Sequence, residues 1–174
     1  MAITITLKRT LTRCLAAAAL VVAAGSCLGW PPSEPPPPPT TTLAVCPTPP
    51  DYQTQTASGT IGILGGTVSL GGTSVVLPLG ALLSPTSIEL TIPASQYMEI
   101  GVTANGGSFN FLKAISITID YSRCSSDIQQ KQLSVWHIDP STHELLENMG
   151  GVDNKLTHQI TFTTLHLSGY ALAF

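Results

Sequence analysis

The last two thirds of the chain alternate short apolar runs with turn-forming residues, and this pattern constrains the fold more than any other feature. Between residues 114 and 121, three isoleucines alternate with polar residues, as in a strand with one buried face. Turn residues separate the runs, as in Gly65-Gly66, Gly71-Gly72 and Asp139-Pro140. The candidate strands are 60–64, 67–70, 74–78, 87–93, 97–103, 114–121, 133–138, 145–148, 159–164 and 169–174. No helical periodicity of useful length occurs, so the pattern predicts an all-β fold, an antiparallel sandwich or barrel.

The amino terminus predicts export. Three basic residues, Lys8, Arg9 and Arg13, precede an apolar run over residues 15–24. A membrane-spanning helix needs roughly 20 apolar residues, whereas this shorter run is typical of a secretory signal. We therefore expect residues 1–26 to be a signal peptide, and the buried helix of a globular domain is the alternative.

The signal ends in Ala24-Gly25-Ser26-Cys27, which resembles the lipobox of bacterial lipoproteins. The resemblance implies lipidation of Cys27 and a lipid anchor in the bacterial cell envelope. Ala24 stands where the family usually has Leu, so cleavage after a nearby small residue is the alternative. Leu28 stands where an inner-membrane protein would carry a retention Asp, which favours the outer membrane.

A proline-rich linker follows over residues 27–55. Residues 31–50 contain ten of the fourteen prolines, and proline favours the extended polyproline II conformation. We expect a stalk here, with a docking site for an aromatic-grooved module as the alternative. Removal of residues 1–26 would leave four basic and ten acidic residues, so nucleic acid is not an expected partner.

Four cysteines are present, and two of them remain for a disulfide. Cys14 falls in the signal and Cys27 in the lipobox, which leaves Cys46 and Cys124. An even pair in an oxidising compartment predicts a disulfide, and two free thiols are the alternative.

Residues 56–174 form the expected globular domain, and most of them resemble the ZU-five domain of ankyrins and netrin receptors. The likeness lies in a Gly-Gly hairpin at 65–70, a strand with Pro-x-Gly-Ala-Leu at 75–82, an aromatic strand and turn at 133–140, and a closing strand at 165–170. The family implies a β-sandwich. Pro78 would end a strand, and Gly80 would take a positive φ at a corner where the chain changes sheets.

The resemblance also implies a possible self-cleavage, because some family members cut themselves within a His-Phe-Ser motif. Carried over by position, His166 would be the base, Ser168 the nucleophile and the Leu167 carbonyl the group attacked. Leu167 stands where the closest motif has Phe. The alternative is that these residues form a strand corner with local hydrogen bonds.

We therefore predict an envelope lipoprotein that presents a binding or structural module, without a cofactor and without a metal site. His137, His143 and His158 lie in one region, but a zinc-helix motif would need a second His four residues after His143. The partner would be an envelope protein or a polysaccharide, met by the loop 105–108 or the hairpin 139–143. The alternating apolar end of the chain, 170–174, leaves an outer-membrane β-barrel protein as a further alternative.

Overall fold

The structure is a computed structural model that describes residues 40–107 and 109–174. The predicted signal peptide, the predicted lipidation site Cys27 and residues 27–39 of the proline-rich linker lie outside the described residues. The elements are β1 (Gln55–Ile61), β2 (Gly66–Leu70), β3 (Thr73–Leu77), β4 (Thr86–Ile92), β5 (Glu99–Ala104), β6 (Asn110–Asp120), α1 (Ser126–Gln129), β7 (Ser134–Ile138), β8 (Leu145–Gly150), β9 (Val152–Asn154), β10 (Gln159–His166) and β11 (Gly169–Ala173).

The strands form two antiparallel sheets, which confirms the predicted all-β sandwich. The six-stranded sheet has the order β1-β4-β5-β11-β7-β8, and the five-stranded sheet has the order β2-β3-β6-β10-β9. Within residues 40–107 and 109–174, no helix has the length and the apolar character that a membrane span requires.

The core lies between the two sheets and follows the period of two in the sequence. Ile115, Ile117 and Ile119 of β6 are fully buried, while Ser116 and Thr118 on the opposite face are partly exposed. This alternation is what a strand with one face on the core requires. Burial of such side chains contributes roughly 25 cal/mol per Å² of apolar surface, and it is the main stabilising term of the fold.

The corner between β3 and β4 has the predicted conformation. Pro78 directly follows β3, and Gly80 has a φ of 75°. Its backbone N–H donates to the Ile63 carbonyl at 2.7 Å, which joins the corner to the β1–β2 hairpin. Since β3 and β4 belong to different sheets, the chain does change sheets here.

Part of the predicted linker is folded into the six-stranded sheet. Thr42 exchanges backbone hydrogen bonds with Phe174 at 2.9 and 3.0 Å. Ala44 donates to the Leu172 carbonyl and accepts from the Met98 N–H. The short segment 42–46 therefore enters beside β11, bends at the fully buried Ala44 and leaves beside Gln96.

The predicted cysteine pair lies at disulfide distance. Cys46 and Cys124 form a disulfide with Sγ atoms 1.96 Å apart and Cα atoms 4.4 Å apart. The bond joins the segment 42–46 to the loop after β6. By the strand registers, it lies at the end of the sandwich that also holds Phe174, whereas Ser168 lies at the opposite end.

Three elements differ from the sequence expectations. The first strand spans Gln55–Ile61, not 60–64, because Gly62 and Gly65 already form the bridge of a hairpin. The four-residue helix α1 and the three-residue strand β9 were not predicted. Both are too short to carry a readable apolar period.

Candidate functional site

The first candidate site surrounds Ser168, in the connection between the two sheets. Residues 167 and 168 carry the chain from β10 in one sheet to β11 in the other. The Ser168 hydroxyl lies 2.7 Å from Nε2 of His137. Strand β7 supplies His137 because it pairs with β11, with His137 opposite Tyr170.

His166, which the sequence offered as the base, makes different contacts. Its ring centroid lies 5.2 Å from that of His137. Its backbone carbonyl accepts a 2.6 Å hydrogen bond from the hydroxyl of the fully buried Tyr170. The structure thus brings His166 and Ser168 to one cluster, but the ring that contacts the Ser168 hydroxyl belongs to His137.

The electrostatics of this cluster favour a neutral ring at His137. Burial lowers the pKa of His137, the nearby His166 lowers it further, and Glu147 acts in the opposite direction. Glu147 lies opposite His137 in the β7–β8 register. A neutral imidazole can accept the hydroxyl proton of Ser168, which is the first requirement of a serine nucleophile.

A self-cleaving peptide also needs backbone strain and a group that stabilises the oxyanion. In the part of the chain that the structure describes, the non-glycine residues with positive φ are Asn105, His143 and His158. None of them is at the Leu167–Ser168 bond. The cluster therefore supplies a nucleophile and a base, and the strained residues are located in other loops.

The second candidate site is a groove on the solvent side of the six-stranded sheet. Thr91, Gly101, Gly169 and Ile138 lie directly opposite one another on four adjacent strands. Residues opposite in antiparallel strands point to the same face, so Gly101 leaves a gap in that row, whereas Pro140 packs over Gly169. The cavity above this row has a volume of about 200 Å³.

The walls of the groove are two prolines and the side chains of Thr91 and Ile138, which lie at the two ends of the row. Pro93 follows β4 on one side, and Pro140 of the β7–β8 hairpin lies on the other. A Cβ on Gly169 would meet Pro140 Cγ at 2.9 Å, so the floor approaches that wall closely. The hairpin is held in place by Asp139, whose side chain accepts hydrogen bonds from Ser141 and Thr142. These bonds lower the pKa of Asp139 to about 2.

One charged group, Glu99, lines the groove. Glu99 is only 6% exposed, although it lies on the solvent side of its sheet. His143 Nε2 lies 3.3 Å from the Glu99 carboxylate, and the His143 ring contacts the Tyr97 ring at a centroid distance of 4.8 Å. His143 has a φ of 59°, an uncommon conformation for a residue with a side chain. The hairpin thus bends so that His143 covers the carboxylate.

The remaining predicted positions lie elsewhere. His158 contacts the Tyr121 ring at the disulfide end, so the three histidines of one sequence region do not meet. Among residues 40–107 and 109–174, no group of three or more His, Cys, Asp or Glu side chains could hold a metal ion. In the loop 105–108, the Asn105 side chain accepts a hydrogen bond from the Ser87 N–H, and Ser108 lies outside the described residues.

Sequence reasoning missed Glu99 and the contact between His137 and Ser168. A signal for the groove was present, because Gly101 and Gly169 are glycines within predicted strands, where they often mark a close approach of a ligand or backbone. Their pairing across β5 and β11 is a long-range contact that the local sequence does not specify.

Comparison with known proteins does not assign the chain to a family. No protein-family model matches the sequence, and a search of curated proteins returned no significant match.

Proposed function

We propose that this protein is an exported lipoprotein, anchored through Cys27, that presents its sandwich as a binding module on the bacterial cell envelope. The observation that carries the binding role is the groove on the solvent side of the six-stranded sheet, with the buried carboxylate of Glu99 at its edge. A buried charge is costly unless it is paired. A buried carboxylate on the solvent side of a sheet favours a role in binding a ligand.

Two features support export. The Cys46–Cys124 disulfide is of a kind that persists in oxidising compartments and is rare in the cytosol. The basic start and apolar run of residues 1–26 are typical of a signal peptide. Lipidation at Cys27 would supply the acyl chains that hold the module at the membrane, in our proposal the outer membrane.

The ZU-five resemblance remains part of this proposal. It is supported by the positive φ of Gly80 at a corner between sheets and by the two-sheet architecture. A domain of that kind would act through binding, and its partner here would be an envelope protein or a polysaccharide.

The anchor is tested by metabolic labelling with radioactive palmitate in a bacterial host. We expect the wild-type chain to incorporate label and the Cys27→Ser variant to incorporate none. Cys14→Ser, within the signal peptide, is the matched control and should label like the wild type. Equal labelling of the Cys27→Ser variant would exclude lipidation at this cysteine.

A second candidate function is self-cleavage between Leu167 and Ser168. The 2.7 Å contact between His137 Nε2 and the Ser168 hydroxyl favours it. His137 would take the hydroxyl proton while Ser168 Oγ attacks the Leu167 carbonyl carbon. The amide nitrogen of Ser168 would then take the proton from His137 and leave as an amine as the C–N bond breaks, and water would hydrolyse the resulting ester to a Leu167 carboxylate and free Ser168.

The intact mass of the denatured protein tests this candidate. Cleavage would release residues 168–174 as a peptide, and Ser168→Ala would abolish the release. If His137 is the base, His137→Gln should slow the release more than His166→Gln. A single full-length mass in the wild type after prolonged incubation would rule the reaction out.

A further inference from the structure

We propose that the groove binds an alkylammonium group, such as a lysine side chain, with its ammonium on Glu99 and its carbon chain over Gly101, beside Pro140. This inference rests on the binding role proposed above, and it names the ligand class of that site.

The shape of the groove suits a narrow unbranched chain. The floor is Gly101, where an added Cβ would meet nothing closer than Thr91 Cβ at 3.9 Å, and Pro140 packs over its cross-strand neighbour Gly169. Pro93 and Pro140 form the sides, and the cavity of about 200 Å³ is lined almost entirely by carbon. A chain of four methylene groups would replace water over this floor, and the burial of its apolar surface favours binding.

The carboxylate of Glu99 makes the groove suited to a cation. Glu99 is the one ionisable side chain among its lining residues. His143 is the ion-pair partner found for Glu99 in the described residues, and an imidazole carries a full charge only when it is protonated. An ammonium group brought in along the floor would supply the permanent charge that a buried carboxylate needs.

Other ligand classes fit less well. An anion would be repelled by Glu99. A sugar would place its hydroxyl groups against the carbon walls of Pro93, Ile138 and Pro140, where few hydrogen-bond partners are available. An uncharged alkyl group would fill the floor but would leave the carboxylate with His143 as its partner and no permanent charge.

Two substitutions test the charge and the space separately. Glu99→Gln removes the charge and keeps the shape of the side chain. Gly101→Ala adds a methyl group to the floor, and it should fold normally because the nearest atom to its Cβ, Thr91 Cβ, is 3.9 Å away. Gly62→Ala is the matched control, since its Cβ would meet nothing within 4 Å in the distant β1–β2 hairpin.

The measurement is a titration of the full chain in detergent, followed through the backbone amide resonances of Gly101 and Gly169. With n-butylammonium we expect saturable shifts in the wild type and in Gly62→Ala. With 1-butanol at the same concentrations we expect no saturable shift. Glu99→Gln should weaken binding by about tenfold or more, and Gly101→Ala should weaken it comparably.

A capped lysine, Nα-acetyl-lysine methylamide, distinguishes the two sources of the ammonium group. Tighter binding than n-butylammonium would indicate a lysine of a partner protein, and equal binding would indicate a free amine. Absence of saturable shifts in the wild type, or unchanged affinity in Glu99→Gln, would overturn the proposal. That failure would leave the lipid anchor untouched, since palmitate labelling of Cys27 tests the anchor independently.

Discussion

Leu82 and Leu83 are neighbours in the sequence but lie in opposite environments. Leu82 is 2% exposed and belongs to the core, whereas Leu83 is 79% exposed. We expect Leu82→Ala to lower the free energy of unfolding by about 2–5 kcal/mol, because it leaves a cavity between the sheets. Leu83→Ala should change it by less than about 0.5 kcal/mol. Urea unfolding curves of the two variants measure the difference, and equal losses would contradict the placement of this corner.

The lowered pKa of His137 predicts a dependence of stability on pH. Because burial and the neighbouring His166 lower the pKa in the folded state, the proton binds more tightly to the unfolded chain. Stability is therefore complete above the ordinary histidine pKa of about 6.5 and falls as the pH decreases through and below that value. We expect the melting temperature of the wild type to drop between pH 7.5 and pH 5.

The contribution of His137 to that drop can be isolated by substitution. His137→Gln should show a smaller drop over the same pH range, because the glutamine cannot be protonated. Leu83→Ala, which leaves every titratable group in place, is the control and should retain the dependence of the wild type. The same drop in His137→Gln as in the wild type would assign the effect to other groups.

At the scale of elements, the disulfide fixes the segment 42–46 to the sandwich. The bond closes a loop between residues that are 78 positions apart, so it removes many conformations from the unfolded chain. We expect the double variant Cys46→Ser, Cys124→Ser to lose about 2–5 kcal/mol of unfolding free energy. Unfolding in urea with and without reductant measures it, and the double variant should not respond to the reductant. An unchanged midpoint for the reduced wild type would contradict the prediction.

The strands that could be predicted are those whose sequence alone separates a buried face from an exposed one. Strand β6 is the clearest case, because its isoleucines repeat every second residue and all three are buried. The segment 42–46 could not be predicted, since its apolar run of residues 43–46 is short and is flanked by threonines and prolines. Its place depends on backbone groups just before β5 and at the end of β11, which are distant in sequence.

At the scale of the whole molecule, the candidate sites depend on which strands become neighbours. The sequence offered Ser168 as a candidate nucleophile, but the ring beside its hydroxyl is that of His137, because β7 pairs with β11 in a particular register. Glu99 and His143 are 44 residues apart and meet because the β7–β8 hairpin folds over the sheet. Residue types could therefore be recognised from the sequence, whereas their partners depend on long-range pairing.

The bend at Ala44 has a mechanical consequence. A pull on the chain at residue 40 would first break the backbone hydrogen bonds of Thr42 and then those of Ala44. The separation of the segment 42–46 from the sheet would then stop at Cys46, because its disulfide to Cys124 transfers the force to the loop after β6. Strand β1, which follows this crosslink in the chain, would be shielded from tension, and both sheets would stay assembled under a pull at residue 40.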